Sequence, residues 1–251
     1  MSTYTALTRA TYKAGVRDVA TVFFTFAFPL VFLVVFGTIF RDQQVGDTGH
    51  GYVDFIASGV LAWGMASAAL FGVAFTVMQW RNDDLLRLIR LSPASFSSVI
   101  GARYTIALAM GLAQVVLFIG VAVSPFFGMR LGPEPWLVVP AVVAGVTAFM
   151  AFGVIIGSVA NTPEAVAAIS NCVVVPMAFL SGSFLPLDMM PDWLQAFSKA
   201  LPLRYLNDAT AYSLVGAGTL GSYLLALVVL LGFGAAALAV AAKVFRWTRE
   251  S

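Results

Sequence analysis

Charge is the scarcest commodity in this sequence. Of its 251 residues, 10% are Asp, Glu, Lys or Arg and 60% are hydrophobic, where a soluble domain carries about 25% charged residues. That balance excludes an ordinary water-soluble fold and points to an integral membrane protein. Cysteine occurs once, as Cys172 within an apolar run, so no intrachain disulfide can form and a small packed residue is expected. Histidine also occurs once. His50 lies in a loop with Gly46, Asp47, Gly49 and Gly51 and has no second ligand at metal spacing. With no H-E-x-x-H run and no serine–histidine spacing, groups for metal or nucleophilic chemistry are missing, and an enzyme is not expected. Asp188 and Asp192 lie four apart on a proline-broken stretch, which reads as turn and cap chemistry. A G-x-x-x-x-G-K-[ST] phosphate loop is absent too, so ATP is not bound in the usual way. The net charge of +2 is too small to argue for nucleic acid.

Acids are also missing from the middles of the apolar runs. Asp54, Glu164 and Asp208 lie at or beyond their ends, and the two halves show no repeat. An ion-coupled secondary transporter, the alternative function, usually keeps a mid-membrane carboxylate or an internal repeat.

What is present is six apolar runs of bilayer length, residues 19–40, 55–78, 99–123, 136–159, 165–185 and 220–242. The first is too long and ends in residues too bulky for a cleaved leader, so it is expected to stay. Before it, Arg9, Lys13 and Arg17 recur every four residues opposite Tyr4, Leu7, Thr11 and Ala14, which predicts an interfacial helix over 1–17. The expected fold is all-α: that helix plus six transmembrane helices. Ten of the fourteen Lys and Arg residues then share the side of the N-terminus, with Arg41, Arg130, Lys199 and Arg204 opposite. Both termini are expected in the cytoplasm.

One interior stretch, 79–103, is strongly charged. Asp83 and Arg87 stand four apart in the favourable order, and Leu85, Leu88 and Ile89 share a face. A short amphipathic helix is expected, broken at Ser92-Pro93. It serves either as a connector on anionic headgroups or as a docking surface for a cytosolic partner. A second short turn, 160–164, reads as a helix start. Asn161 or Thr162 can cap, Pro163 suits the first position, and Glu164 suits the dipole. After the fifth run, Pro186, Pro191 and Pro202 break the chain into pieces. Between them Asp192 is expected to cap a helix whose apolar face is Trp193, Leu194, Phe197 and Leu201, an outer lid or re-entrant hairpin over 186–216.

The first run places Phe24, Phe28, Phe32, Phe36 and Phe40 four apart. Each step overshoots a turn by about 40°, so the row winds through about 160° and cannot keep to one face. Gln114, Ser170, Asn171, Ser181 and Ser183 are polar within runs, and interhelical hydrogen bonds are expected of them. Gly59, Gly64 and Gly72 would permit close helix approach.

Together these features resemble the permease subunit of ABC-2 type ABC exporters, particularly the small drug and lipid exporter subunits of actinobacteria. The resemblance covers nearly the whole chain as a single domain, 1–251. It rests on the 81–95 loop with its Leu91-Ser92-Pro93-Ala94-Ser95 close, and on the outer stretch from Leu180 through Ser181-Gly182-Ser183-Phe184-Leu185-Pro186 and Met190-Pro191-Asp192-Trp193-Leu194-Gln195 to Leu201-Pro202-Leu203-Arg204. Many members carry a Glu-rich start and Gly-Thr-Leu where this chain has Asp84-Leu85-Leu86.

The resemblance implies a half-transporter in a bacterial plasma membrane. Two copies of a separate ATPase subunit would carry ATP and Mg, with no cofactor on this chain. They would engage the N-terminal helix (Arg9, Lys13) and the 79–98 coupling loop (Arg81, Asp83, Asp84, Leu85, Arg87, Leu88, Arg90). A second permease, identical or related, would complete a central pathway for an amphipathic or hydrophobic drug, antibiotic or lipid. Phe28, Phe32, Asn171, Ser181 and Phe184 are the residues expected at that pathway or at the dimer seam, and two hairpin helices would precede the last span.

Overall fold

A helix that is apolar all round must be surrounded by protein or lipid, and the longest helix among the described residues is mostly surrounded by protein. The computed structural model describes residues 22–40, 51–83 and 96–244, and among them there is no strand. The helices are α1 (Phe23–Ile39), α2 (Tyr52–Asn82), α3 (Phe96–Ala122), α4 (Val138–Val159), α5 (Pro163–Leu180), α6 (Asp192–Ser198), α7 (Pro202–Val215) and α8 (Leu220–Val244). Five of them, α2, α3, α4, α5 and α8, are long and apolar enough to cross a membrane. The described residues begin at 22, inside the first expected span of 19–40, and over them α1 is shorter; among the described residues five such helices stand where six spans were expected.

α2 begins at Gly51, whose N–H donates to Asp54 Oδ2 at 3.2 Å, a first-turn acid capping its own helix start. α1, α3, α4, α5 and α7 all pack against α2. The approach to α4 is the tightest. A Cβ on Gly153 would strike the carbonyl of Leu70, and one on Gly157 the carbonyl of Ala74. Two glycines one turn apart thus let the backbones touch. On its other side α4 carries α8, where Tyr223 is buried and donates to Leu137 O at 2.8 Å.

α1 is irregular where its description begins. The turn Phe23–Ala27 is π-helical, with the Phe28 N–H reaching Phe23 O, and Pro29 follows at once. Proline lacks the donor that would close the next helical turn. α5 ends at Leu180, short of the expected 185, because Gly182 takes φ +81°, a conformation that costs other residues dearly. On either side of the charged stretch, α2 runs through Asn82 and α3 is described from Phe96 onward.

The expected helix start at 162–164 is present. Ala165 N–H donates to Thr162 Oγ1 at 3.2 Å, with Pro163 first in the helix and Glu164 in its first turn. The Asp192 cap is not: Asp192 is the first residue of α6, Pro191 holds the cap position, and no side-chain cap bond forms. Instead Gln195 Nε2 donates to Met190 O at 2.9 Å. Arg204 joins α6 to α7, its Nη1 donating to Gln195 O at 3.1 Å and to Ser198 Oγ. The two pieces differ in burial. Trp193 and Phe197 of α6 are exposed, whereas Leu203, Leu206 and Ala209 of α7 are buried among α2, α4 and α8.

Candidate functional site

Three groups of side chains stand out, and the first closes one end of α2. Arg81 is buried in its last turn. Its Nη1 donates to Gly157 O at 3.1 Å and to Ala160 O at 3.2 Å, and its Nη2 reaches Asn161 Oδ1 at 3.5 Å. Asn82 Nδ2 adds a bond to Asn161 O at 3.0 Å. The last carbonyls of a helix lack intrahelical donors and carry its negative pole, so a guanidinium there is doubly favoured. Arg81 therefore ties α2 to the turn between α4 and α5, and Asp83, the next acid, is exposed. Arg9, Lys13, Asp84, Leu85, Arg87, Leu88 and Arg90 lie outside the described residues, as does the expected interfacial helix.

The second group is aromatic. Phe28, Phe32 and Phe184, chosen from the sequence, are brought together around a residue that was not, Trp63. Its ring lies 5.9 Å from Phe28, 5.4 Å from Phe32 and 5.1 Å from Phe184. Phe32 and Phe184 are 5.4 Å apart, and Phe179 of α5 joins at 5.3 Å from Phe184. The phenylalanine row does stay in contact, at 5.1 Å for Phe28–Phe32 and 5.8 Å for Phe32–Phe36, while Phe24 at its start is exposed. Beside the row a groove of about 100 Å³ is lined by Val31, Phe32, Val35 and Phe36. Trp63 carried one local signal: it precedes Gly64 in a helix otherwise full of small residues.

The third group is polar and buried. Asn207 of α7 donates through Nδ2 to Ser181 O at 2.8 Å and to Ser183 Oγ at 2.9 Å. Thr210 Oγ1 donates to Ser58 O at 3.3 Å, and Tyr52 OH to Phe184 O at 3.2 Å. The turn after α5 is thereby fixed to α2 and α7, and it sits so close that a Cβ on Gly59 would strike Ser183 backbone. Of the polar residues read in the runs, Ser183 makes the expected cross-element bond. Gln114, Ser170 and the Ser181 hydroxyl are buried without a hydrogen-bond partner among the described residues, as is Trp63 Nε1. Asn171 joins none of these groups and is exposed on α5 with Val175, Phe179 and Cys172, which is therefore not the packed residue expected of it. Asp208, 3.9 Å from Arg204, has a half-exposed side chain. Its carboxyl is nonetheless pushed above the usual range by burial of the group against its surroundings, with Arg204 pulling the other way.

A tether at one end of α2 and an aromatic and polar assembly further along it contain no nucleophile–base pair. Comparison with known proteins gives the arrangement its context. The family model described as ABC-2 type transporter matches residues 3–215. The chain is 27% identical to the daunorubicin resistance ABC transporter permease protein DrrB1 of Streptomyces coeruleorubidus, over 82% of this chain and 72% of that protein. It is 23% identical to the inner membrane transport permease YadH of Escherichia coli, over 74% of this chain and 72% of that protein. With the transport permease ycf38 of Cyanophora paradoxa the identity is 25% over 70% of this chain, which spans 62% of that relative's length. A match over most of its length places this chain in the ABC-2 type transporter membrane family.

Proposed function

We propose that this chain is the membrane subunit of an ATP-driven exporter, moving an amphipathic or hydrophobic molecule out of the cell at the expense of ATP bound with Mg on a separate subunit. The observation that carries the reading is the family match over residues 3–215, together with the similarity to transport permeases. One of those relatives is named for daunorubicin resistance, which favours a flat hydrophobic drug-like cargo over an ion. In this reading the whole chain is one domain, and α1 is the first of six spans. α6 and α7 form a re-entrant hairpin on the outer side, and both termini face the cytoplasm of a bacterial cell. Two ATPase subunits and a second permease, identical or related, complete the transporter.

The Arg81 tether suggests how force travels. The segment 84–95 leaves directly from the end of α2, and Arg81 and Asn82 fasten that end to the α4–α5 turn. A displacement of the segment by an ATPase subunit would therefore reach α5 as well as α2, because buried, hydrogen-bonded helix ends move together. α5 carries Asn171 and, through Phe179, touches Phe184.

The test is to purify the chain from its native membrane with whatever accompanies it and to measure ATPase activity and transport in vesicles. A stoichiometric nucleotide-binding subunit is expected. Reversing Arg87 and Arg90 to Glu is expected to uncouple hydrolysis from export while the protein still inserts. Unchanged coupled transport in that variant would remove the docking role of the segment. Recovery of the chain alone, with transport driven by a proton or sodium gradient, would put the ion-coupled carrier first.

A further inference from the structure

Gln114 is the least expected side chain in the membrane-spanning part of the molecule. It lies on the buried stripe of α3 with Gly111, Val115 and Phe118, is 0% exposed, and neither Nε2 nor Oε1 has a hydrogen-bond partner among the described residues. Desolvating both ends of a carboxamide without compensation is costly, and a leucine of similar size would avoid the cost. The surroundings make room for it. Nε2 lies where a Cβ on Gly64 would be, and Pro29 of α1 closes the same spot, its Cγ 3.1 Å from that Cβ position.

A second unsatisfied donor stands beside Gly64 in the chain. Trp63 precedes Gly64, is 8% exposed, and its Nε1 has no partner among the described residues. Its ring is covered by Phe28, Phe32 and Phe184, and Phe32 also lines the groove of about 100 Å³. The helix that covers both polar groups is α1. At this level it has just left its π-helical turn and carries Pro29, the kind of irregularity found where helices shift and where functional sites lie.

We propose that Gln114 and Trp63 form a recognition point for an uncharged hydrogen-bonding group, a ring carbonyl or hydroxyl, of an aromatic amphiphile entering beside α1. This deepens the exporter reading and rests on it for the cargo being amphipathic. The chemistry selects the class. The indole N–H donates, the carboxamide both donates and accepts, and the neighbours named above are aromatic or aliphatic without a charge. A neutral polar group flanked by a flat ring satisfies the orphaned atoms and meets the aromatic faces, whereas an ion would find no counter-charge.

The experiment compares 1-naphthol with 1-methylnaphthalene, which differ in the hydrogen-bonding group, on the full chain in lipid nanodiscs. Partition into lipid cancels when each variant is compared with the wild type. Gln114→Leu is expected to lower 1-naphthol binding roughly three- to tenfold, the value of one neutral hydrogen bond, to leave 1-methylnaphthalene unchanged, and to hold or raise the melting temperature. Trp63→Phe, which keeps a ring and removes the N–H, is expected to lower the same selectivity less. A Gln114→Leu chain that melts lower and binds both probes as before would overturn the proposal by making Gln114 a structural residue. Equal losses for both probes in the two variants would overturn it by reducing the site to apolar packing. The assay needs neither ATP nor a partner subunit, so its failure beside a copurifying ATPase would remove this site and leave the exporter reading standing.

Discussion

The seam between α2 and α4 and the open face of α5 are built from the same kinds of residue and come out opposite. In the seam, small residues bring backbone against backbone, and 72% of the α2 apolar window is buried within the chain. On α5 only 28% of the window is buried, and Ile169, Val175 and Phe179 are exposed. Apolar composition therefore does not distinguish a buried frame from an open face; the placement of glycine does. Close backbones leave no room for a helix to slide, whereas large side chains facing outward can exchange lipid, a partner or a ligand at little cost.

The sharpest break of that contrast is to put the same side chain, leucine, on each side. Gly157→Leu would push a side chain into Ala74 and is expected to cost about 3 kcal/mol or more, seen as loss of folded, monodisperse protein. Val175→Leu on α5 should leave the yield and melting temperature unchanged. Next in size, Arg81→Met removes the donors to Gly157 O and Ala160 O and should destabilise by about 2–3 kcal/mol. Thermal unfolding measures that part, and a fall in transport per ATP hydrolysed would sharpen the picture of a tethered α5. Asn207→Leu, which strands Ser181 O and the Ser183 hydroxyl, should cost about 1–3 kcal/mol and speed proteolysis of the α6 segment, with α2 and α4 still protected. Smallest is Asn171→Ala, expected within about 0.5 kcal/mol for the single chain, with weakened self-association in bilayers measured by energy transfer between labelled copies.

Local chemistry was the most legible part of the sequence. Thr162, Pro163 and Glu164 do what their order suggests because a helix start is settled within four residues. Of the residues expected at one pathway or seam, Phe28, Phe32 and Phe184 lie side by side, Ser181 sits in the neighbouring turn and Asn171 stands apart on α5, while Trp63 at the centre of the rings gave little sign of itself. Of the three glycines expected in helix contacts, Gly59 and Gly64 have close neighbours and Gly72 has none within 4 Å. The pair that sets the α2–α4 distance, Gly153 and Gly157, lies on the partner helix. Nothing around Arg81 in the chain shows it turning inward, because its acceptors lie far along the sequence, at 157 and 160. Asn207 was illegible for the same reason, its partners being set by the turn at 181–183.

The single thiol falls on the open side of this contrast. Cys172 follows Asn171 on the exposed face of α5, so the natural chain already carries one address for a maleimide spin label or dye, with no background site to remove. Two copies that meet through this face with their Cys172 Cα atoms about 4.4–6.8 Å apart would cross-link on mild oxidation. Copies that face each other across a wider lumen would not, and a pair of spin labels would read the width directly.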